Sequence, residues 1–184
     1  MRRERETMKR ILVVVDIQND FVDGSLGTPE AVDIVPKAAE RIRAFDGDMI
    51  YVTFDTHGAD YMDTLEGQRL PVVHCQEGTP GWALAPAVSE ALGDRPYRGV
   101  VKKTFGTFEI VADLKERYPG ERIEADVIGL CTDICVVSNV LILRAGFPDA
   151  VIRVDAACCA GVTPEKHAAA LETMRSCQID IING

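Results

Sequence analysis

No apolar run in the sequence approaches the ~20 residues that a membrane-spanning helix needs. The chain opens on Met1-Arg-Arg-Glu-Arg-Glu-Thr-Met8, a charged stretch without the apolar centre of a secretory signal. We therefore expect a cytoplasmic protein with no membrane partner. Positive charge is scarce: 20 Lys and Arg stand against 29 Asp and Glu, for a net charge of −9. That balance argues against nucleic acid and anionic surfaces as partners. Cys-x-x-Cys is absent although there are six cysteines; Cys131 and Cys135 are four apart, and Cys158 and Cys159 adjoin. Without a signal peptide, this usage reads as reduced thiols rather than a disulfide framework. Repeats, low-complexity tracts and linkers are also missing, and 184 residues suit one domain with a full core. The expectation is a single domain over residues 1–184, with 1–8 a flexible N-terminal tail.

What is present is an alternation of buried strands and helices. Ile11–Val15, Met49–Phe54, Tyr97–Lys102, Ile123–Gly129, Ala150–Val154 and Ile179–Ile182 read as strands, several of them continuous β-branched runs. Helices are expected from Val35-Pro36 to Phe45, Trp82 to Leu92, Glu109 to Tyr118, Ile134 onward, and Thr163 to about Cys177. This pattern predicts an α/β fold, a mostly parallel sheet between helical layers with right-handed crossovers. Gly58 to Pro80 shows no long periodic segment, and loops of that length are usually functional or disordered.

Polar residues cluster where strands end, which is where open α/β sheets bind their ligands. Asp16 follows the first strand, Asp55 and His57 the second, Lys102 and Lys103 the third, and Asp155 the fifth. Cys135 falls at the start of a helix, just after the fourth. A helix N-terminus lowers a thiol's pKa and offers N–H groups to an oxyanion, so Cys135 is a candidate nucleophile; a half-buried structural cysteine is the alternative. Asp55, His57 and His74 form a possible three-ligand set for Zn²⁺, Fe²⁺ or Mn²⁺; turn capping and a surface histidine are the alternative. His167, in a polar helix start, reads as a surface residue. Phe21 and Trp82 are candidate walls of a pocket, with core packing as the competing role for each.

Three stretches in order, Asp16-Ile-Gln-Asn-Asp-Phe21, Lys102-Lys-Thr-Phe-Gly-Thr-Phe108 and Gly129-Leu-Cys-Thr-Asp-Ile-Cys135, resemble the isochorismatase-like cysteine hydrolases. The resemblance runs from about Arg10 to the C-terminus. It implies a three-layer α/β/α fold with a six-stranded parallel sheet in the order 3-2-1-4-5-6. It also implies an Asp16–Lys102–Cys135 triad. Phe105-Gly-Thr-Phe108 fills the family pattern that selects Lys102 over Lys103, and strand alternation turns Lys103 the other way. Further implications are a cis bond at Leu130–Cys131 and an oxyanion hole from the backbone N–H groups of Cys131 and Cys135. Within the family, Asp55, His57 and His74 resemble the metal site of the nicotinamidases. Gly58-Ala-Asp-Tyr-Met-Asp63 departs from the His-x-Ser-Phe stretch usual there. The implied activity is hydrolysis of a small amide through a thioester with release of ammonia, nicotinamide being the first candidate, by a homo-oligomer. In that chemistry Asp16 takes the thiol proton and Lys102 keeps Asp16 ionised. A hydrolase of a carbamoyl, ureido or other small amide is the nearest alternative. A non-catalytic metal-binding or scaffold protein and a thiol redox protein are the more distant ones.

Overall fold

The structure, a computed structural model, describes residues 8–184. The expected N-terminal tail thus falls outside the described residues except for Met8, which opens the first strand instead. Six strands form one sheet: β1 (Met8–Val15), β2 (Met49–Asp55), β3 (Arg98–Lys102), β4 (Arg122–Leu130), β5 (Val151–Ala160) and β6 (Asp180–Ile182). Their order is β3-β2-β1-β4-β5-β6 and every pairing is parallel. The sheet is covered by α1 (Asn19–Val22), α2 (Pro29–Ala44), α3 (Leu65–Arg69), α4 (Pro86–Leu92), α5 (Glu109–Arg117), α6 (Val137–Gly146) and α7 (Pro164–Ser176). Among the described residues no helix is long and apolar enough to cross a membrane.

Alternation along β1 builds both halves of the core. Ile11, Val13 and Val15 pack under α5, α6 and α7 with Leu114, Val140 and Met174. Leu12 and Val14 face α2 and α4, meeting Ile42 and Val88. All five of these β1 side chains are buried, which is why the run reads as unbroken rather than alternating.

Several boundaries differ from the expectation. The helix α2 begins at Pro29, not at Val35-Pro36: Thr28 caps it by accepting the Ala31 N–H at 3.0 Å, and Pro29 takes the first-turn position. Pro36 lies inside, tolerated because Ala31, Ile34, Ala38 and Ile42 make one buried stripe across it. Trp82 precedes α4 rather than starting it. β5 continues to Ala160, so Asp155 sits within the strand and not at its exit. The segment after Gly58 contains α3 and a single helical turn at Tyr61–Asp63, both too short for a periodic signal.

Order reverses between β1 and β4, which pair in register up to Val15 with Gly129. Gly129 has φ 129°, and a Cβ there would lie 2.0 Å from the Val15 carbonyl oxygen. Only glycine lets the two strands stay this close at the switch point.

Candidate active site and metal centre

Register places the functional groups side by side. Thr53 of β2 pairs with Val15, and Asp55 pairs with Lys102 of β3. Asp16 follows Val15 in the left-handed region at φ 46°. Its Oδ2 lies 2.7 Å from Lys102 Nζ, and its Oδ1 accepts the Thr53 hydroxyl at 2.6 Å. Lys102 Nζ also lies 3.1 Å from Asp55 Oδ1 and 3.5 Å from Cys135 Sγ. All four of these charged or thiol groups are buried, while Lys103 is exposed, so the lysine beside the thiol is Lys102.

Cys135 sits in a π-helical turn, Thr132–Val136, that joins β4 to α6. The Cys131 carbonyl closes this turn by accepting the Ile134 and Val136 N–H groups, each at 3.1 Å. The Leu130–Cys131 peptide is cis, as the resemblance implied. The environment of the sulfur differs from the expected one. Burial drives the Cys135 thiol well above the usual range, and the Asp16 charge adds to this against the opposing effect of Lys102. The helix-terminus effect does not prevail over burial at this sulfur. Asp16 departs from expectation in the same way. Burial raises its pKa, Lys102 opposes that rise, and Asp55 reinforces it. Lys102 lowers the Asp16 pKa without outweighing burial, and Asp16, Cys135 and Asp55 in turn hold Lys102 protonated despite its own burial. A carboxylate with raised pKa is a better proton acceptor for a thiol than an ordinary one.

The second group of polar residues shares Asp55. His57 Nε2 lies 3.0 Å and His74 Nε2 3.5 Å from Asp55 Oδ2, with the two ring centroids 4.6 Å apart. His74 returns to this place because residues 74–77 run beside His57. The His57 N–H donates to the Cys75 carbonyl at 3.0 Å, and the Glu77 N–H donates to the His57 carbonyl at 3.1 Å. Gln18 bridges the same region, donating to the carbonyls of Asp55 and Trp82 and accepting the Asp55 N–H. His74 Nδ1 lies 2.8 Å from the Val72 carbonyl oxygen, a contact that fixes the ring with Nε2 aimed at Asp55. Burial works against the charge of Asp55, but hydrogen bonds from His57 and His74 and the Lys102 charge outweigh it and hold the carboxyl ionised.

One carboxylate oxygen and two imidazole nitrogens, all within 4.8 Å of one another and buried, suit a divalent cation. The fit is supported by the fixed ring of His74 and by the division of Asp55, with Oδ1 on Lys102 and Oδ2 free toward the rings. Glu66 of α3 adds a fourth side chain and a second acid, its Oε1 3.8 Å from His74 Nε2 and 3.9 Å from His57 Nε2.

A cavity of about 270 Å³ opens over both groups, lined among others by Phe21, Asp55, His74, Phe105, Cys131 and Cys135. Phe21 stands edge-on to His74 with centroids 5.5 Å apart. Trp82 is not part of this lining: it packs on Phe54 and donates its indole N–H to Thr56 at 2.7 Å, the packing role weighed for it. His167 is half-buried and not on the surface as expected; its Nδ1 lies 2.8 Å from Thr132 Oγ1.

The model of the isochorismatase domain matches residues 10–183. The chain belongs to the isochorismatase family. It is 29% identical to the nicotinamidase/pyrazinamidase of Mycobacterium tuberculosis over 192 aligned positions, covering 94% of this chain and 98% of that one. Among solved structures it is similar to the nicotinamidase/pyrazinamidase of Bacillus subtilis, with a TM-score of 0.81, 28% identity and coverage of 95% and 99%. It is also similar to the pyrazinamidase of Pyrococcus horikoshii in complex with zinc, with a TM-score of 0.77, 28% identity and coverage of 96% and 99%. The chain is thus a nicotinamidase-like member of its family.

Thr53, Gln18, Glu66 and Asn139 escaped the sequence reading. Thr53 carried a signal, being the one aliphatic hydroxyl in an otherwise apolar stretch of strand and two residues before Asp55, hence on the same face. Gln18 lies inside a stretch singled out above. Asn139 joins the cavity wall to the nucleophile turn, donating to the carbonyls of Cys135 at 2.8 Å and Phe105 at 3.2 Å. Its place in an apolar helix, where a buried amide needs partners, was the available sign.

Proposed function

We propose that this single domain is a cysteine amidohydrolase that converts nicotinamide, or a close small amide, to the acid and ammonia. The observation that carries this reading is the convergence of Asp16 and Lys102 on Cys135 beneath a cavity that Cys135, Asp55 and His74 line, with His57 beside Asp55. Cys135 gives its proton to Asp16 as Sγ attacks the amide carbonyl. The N–H groups of Cys131 and Cys135 receive the oxyanion; removing one such donor typically costs about 2.7–4 kcal/mol of barrier. Asp16 passes the proton to the departing amine, leaving a thioester, and then takes a proton from the water that cleaves it. Lys102 keeps a positive charge beside each anionic stage.

Asp55, His57 and His74 would hold a divalent cation, with Glu66 adjacent. Zinc is the proposed ion, and Fe²⁺ and Mn²⁺ match the same donors. When bound it would supply a seat for an electron pair of the substrate, fixing the ring while the amide meets Cys135. Phe21, edge-on to His74, forms an apolar wall for that ring. The chain is further proposed to act in the cytoplasm as a homo-oligomer, which size-exclusion chromatography with light scattering tests.

The deciding experiment is ammonia release from a panel of small amides by the metal-loaded protein, with and without a chelator. Nicotinamide turnover that chelation abolishes is the expected result. No release from any amide would overturn the reading. Because the Gly58–Asp63 stretch departs from the nicotinamidase pattern, carbamoyl, ureido and other small amides form the second reading and belong in the same panel.

A further inference from the structure

The π-helical turn that carries Cys135 is tied, on the side away from Asp16, to the loop between β5 and α7. Two side chains make the connection. Thr132, fully buried, places its Oγ1 2.8 Å from His167 Nδ1, in the first turns of α7. Asp133 Oδ1 accepts the Val162 N–H at 2.9 Å. Both lie within three residues of the nucleophile. Gly161 makes the approach possible, because a Cβ there would stand 2.8 Å from the His167 nitrogen and 2.9 Å from Asp133 Oδ1. The loop so held is no bystander: Gly161, Val162 and Lys166 line the cavity opposite Phe105 and Leu70.

We propose that His167, through Thr132, and Asp133, through the Val162 amide, are positioning residues that lock the nucleophile turn to the β5–α7 loop, so that cavity wall and sulfur move as one body. Neither touches substrate. Each acts by fixing the angle at which Cys135 presents Sγ and its N–H to the cavity. A π turn has longer, less constrained spacing than an α turn, so its shape depends on such side-chain ties. Misplacement of a reacting atom by about 1 Å can cost on the order of 10²-fold in rate. The groups facing His167 support a neutral ring: burial lowers its pKa, and only the Asp133 charge opposes this.

This inference rests on the proposed amidase chemistry for one readout but not for the other. Thr132→Val and His167→Phe are each expected to lower kcat about tenfold with KM within twofold, and the double variant to be no worse than either single one. Thr132→Ser should restore the rate. Asp133→Ala should behave like Thr132→Val, and Asp133→Asn, which retains an acceptor, should recover. Independently of any amide, alkylation of Cys135 by iodoacetamide, followed by mass spectrometry against Cys177, should quicken about tenfold in Thr132→Val and His167→Phe. Thermal melting identifies variants that merely unfold. Unchanged kcat and unchanged alkylation in folded variants would overturn the proposal, as would additive losses in the double variant. A wild-type protein that releases no ammonia, with variants that still show the alkylation shift, would sink the amidase reading and leave the lock standing.

Discussion

The same sheet carries two clusters of buried charge. One is Asp16, Lys102 and Asp55 beneath the cavity. The other lies toward the opposite edge, where Asp126 of β4 and Asp155 of β5 meet Arg41 of α2 and Arg153 of β5. Both aspartates of the second cluster are as deeply buried as Asp55. Arg153 Nε lies 2.7 Å from Asp126 Oδ1 and also pairs with Glu124. Burial of charge therefore does not mark a reactive site by itself. The difference lies in the partners. Guanidinium groups stay protonated and fork onto carboxylates, giving a static brace. At the cavity a single lysine is shared by two carboxylates and a thiol, and proton exchange among them is open.

The sharpest test of that contrast is Cys135→Ala. We expect kcat/KM to fall about 10⁴-fold or more, equivalent to ~5.5 kcal/mol, with little change in Tm. Ammonia release and thermal melting on one preparation read both. Lys102→Met should damage stability and rate together, because it leaves two buried carboxylates without their cation; ~3–5 kcal/mol is expected in denaturant unfolding. If Lys102→Met melts like the parent, the two clusters differ less than described. Zn²⁺ at about 100-fold its Kd should add ~2.7 kcal/mol to stability, and His57→Ala should remove that gain, which a melting series in chelated buffer would show. Arg41→Met belongs to the brace. It should cost about 1–3 kcal/mol while kcat stays within twofold, since Arg153 still holds Asp126. A large loss of rate there would mean the brace reaches the site.

The last expected effect is confined to alkaline solution. Each cluster has a thiol beside it, Cys131 at the cavity and Cys158 near Asp155. Burial is the main cause that pushes each up to about 12 from 9.0. Between those limits an unfolded chain releases protons that the fold retains. Stability should therefore fall as pH rises from about 9 to about 12. Urea titrations of a Cys131→Ser, Cys158→Ser double variant should show a shallower slope than the parent.

Most of the sheet was legible because strand runs of β-branched residues survive any tertiary detail. The lysine was legible too, since alternation sends Lys102 inward and Lys103 out. The metal cluster was legible only in part. Asp55 and His57 follow from a strand end, but Glu66 sits on a five-residue helix that leaves no period to read. Pro36 misled because proline marks a helix start more often than an interior, and here the apolar stripe on both sides overrode it. The upward shift of the Cys135 thiol was illegible for a different reason. Local helix position argues for a thiolate, whereas the burial that reverses it is a property of three strands meeting, and no neighbouring residue announces it. His167 was misread as a surface residue because its partner, Thr132, lies 35 residues away.

The ammonium in this arrangement rides on β3, which has a neighbour on one side only and is five residues long. Outermost strands of this kind loosen before the rest of a sheet does. Each such excursion would carry Lys102 away from the sulfur and leave the remaining five strands intact. Catalytic competence would then lapse and return on the timescale of a fraying border, well inside the lifetime of the folded molecule, and amide exchange along Arg98–Lys102 would be its clock.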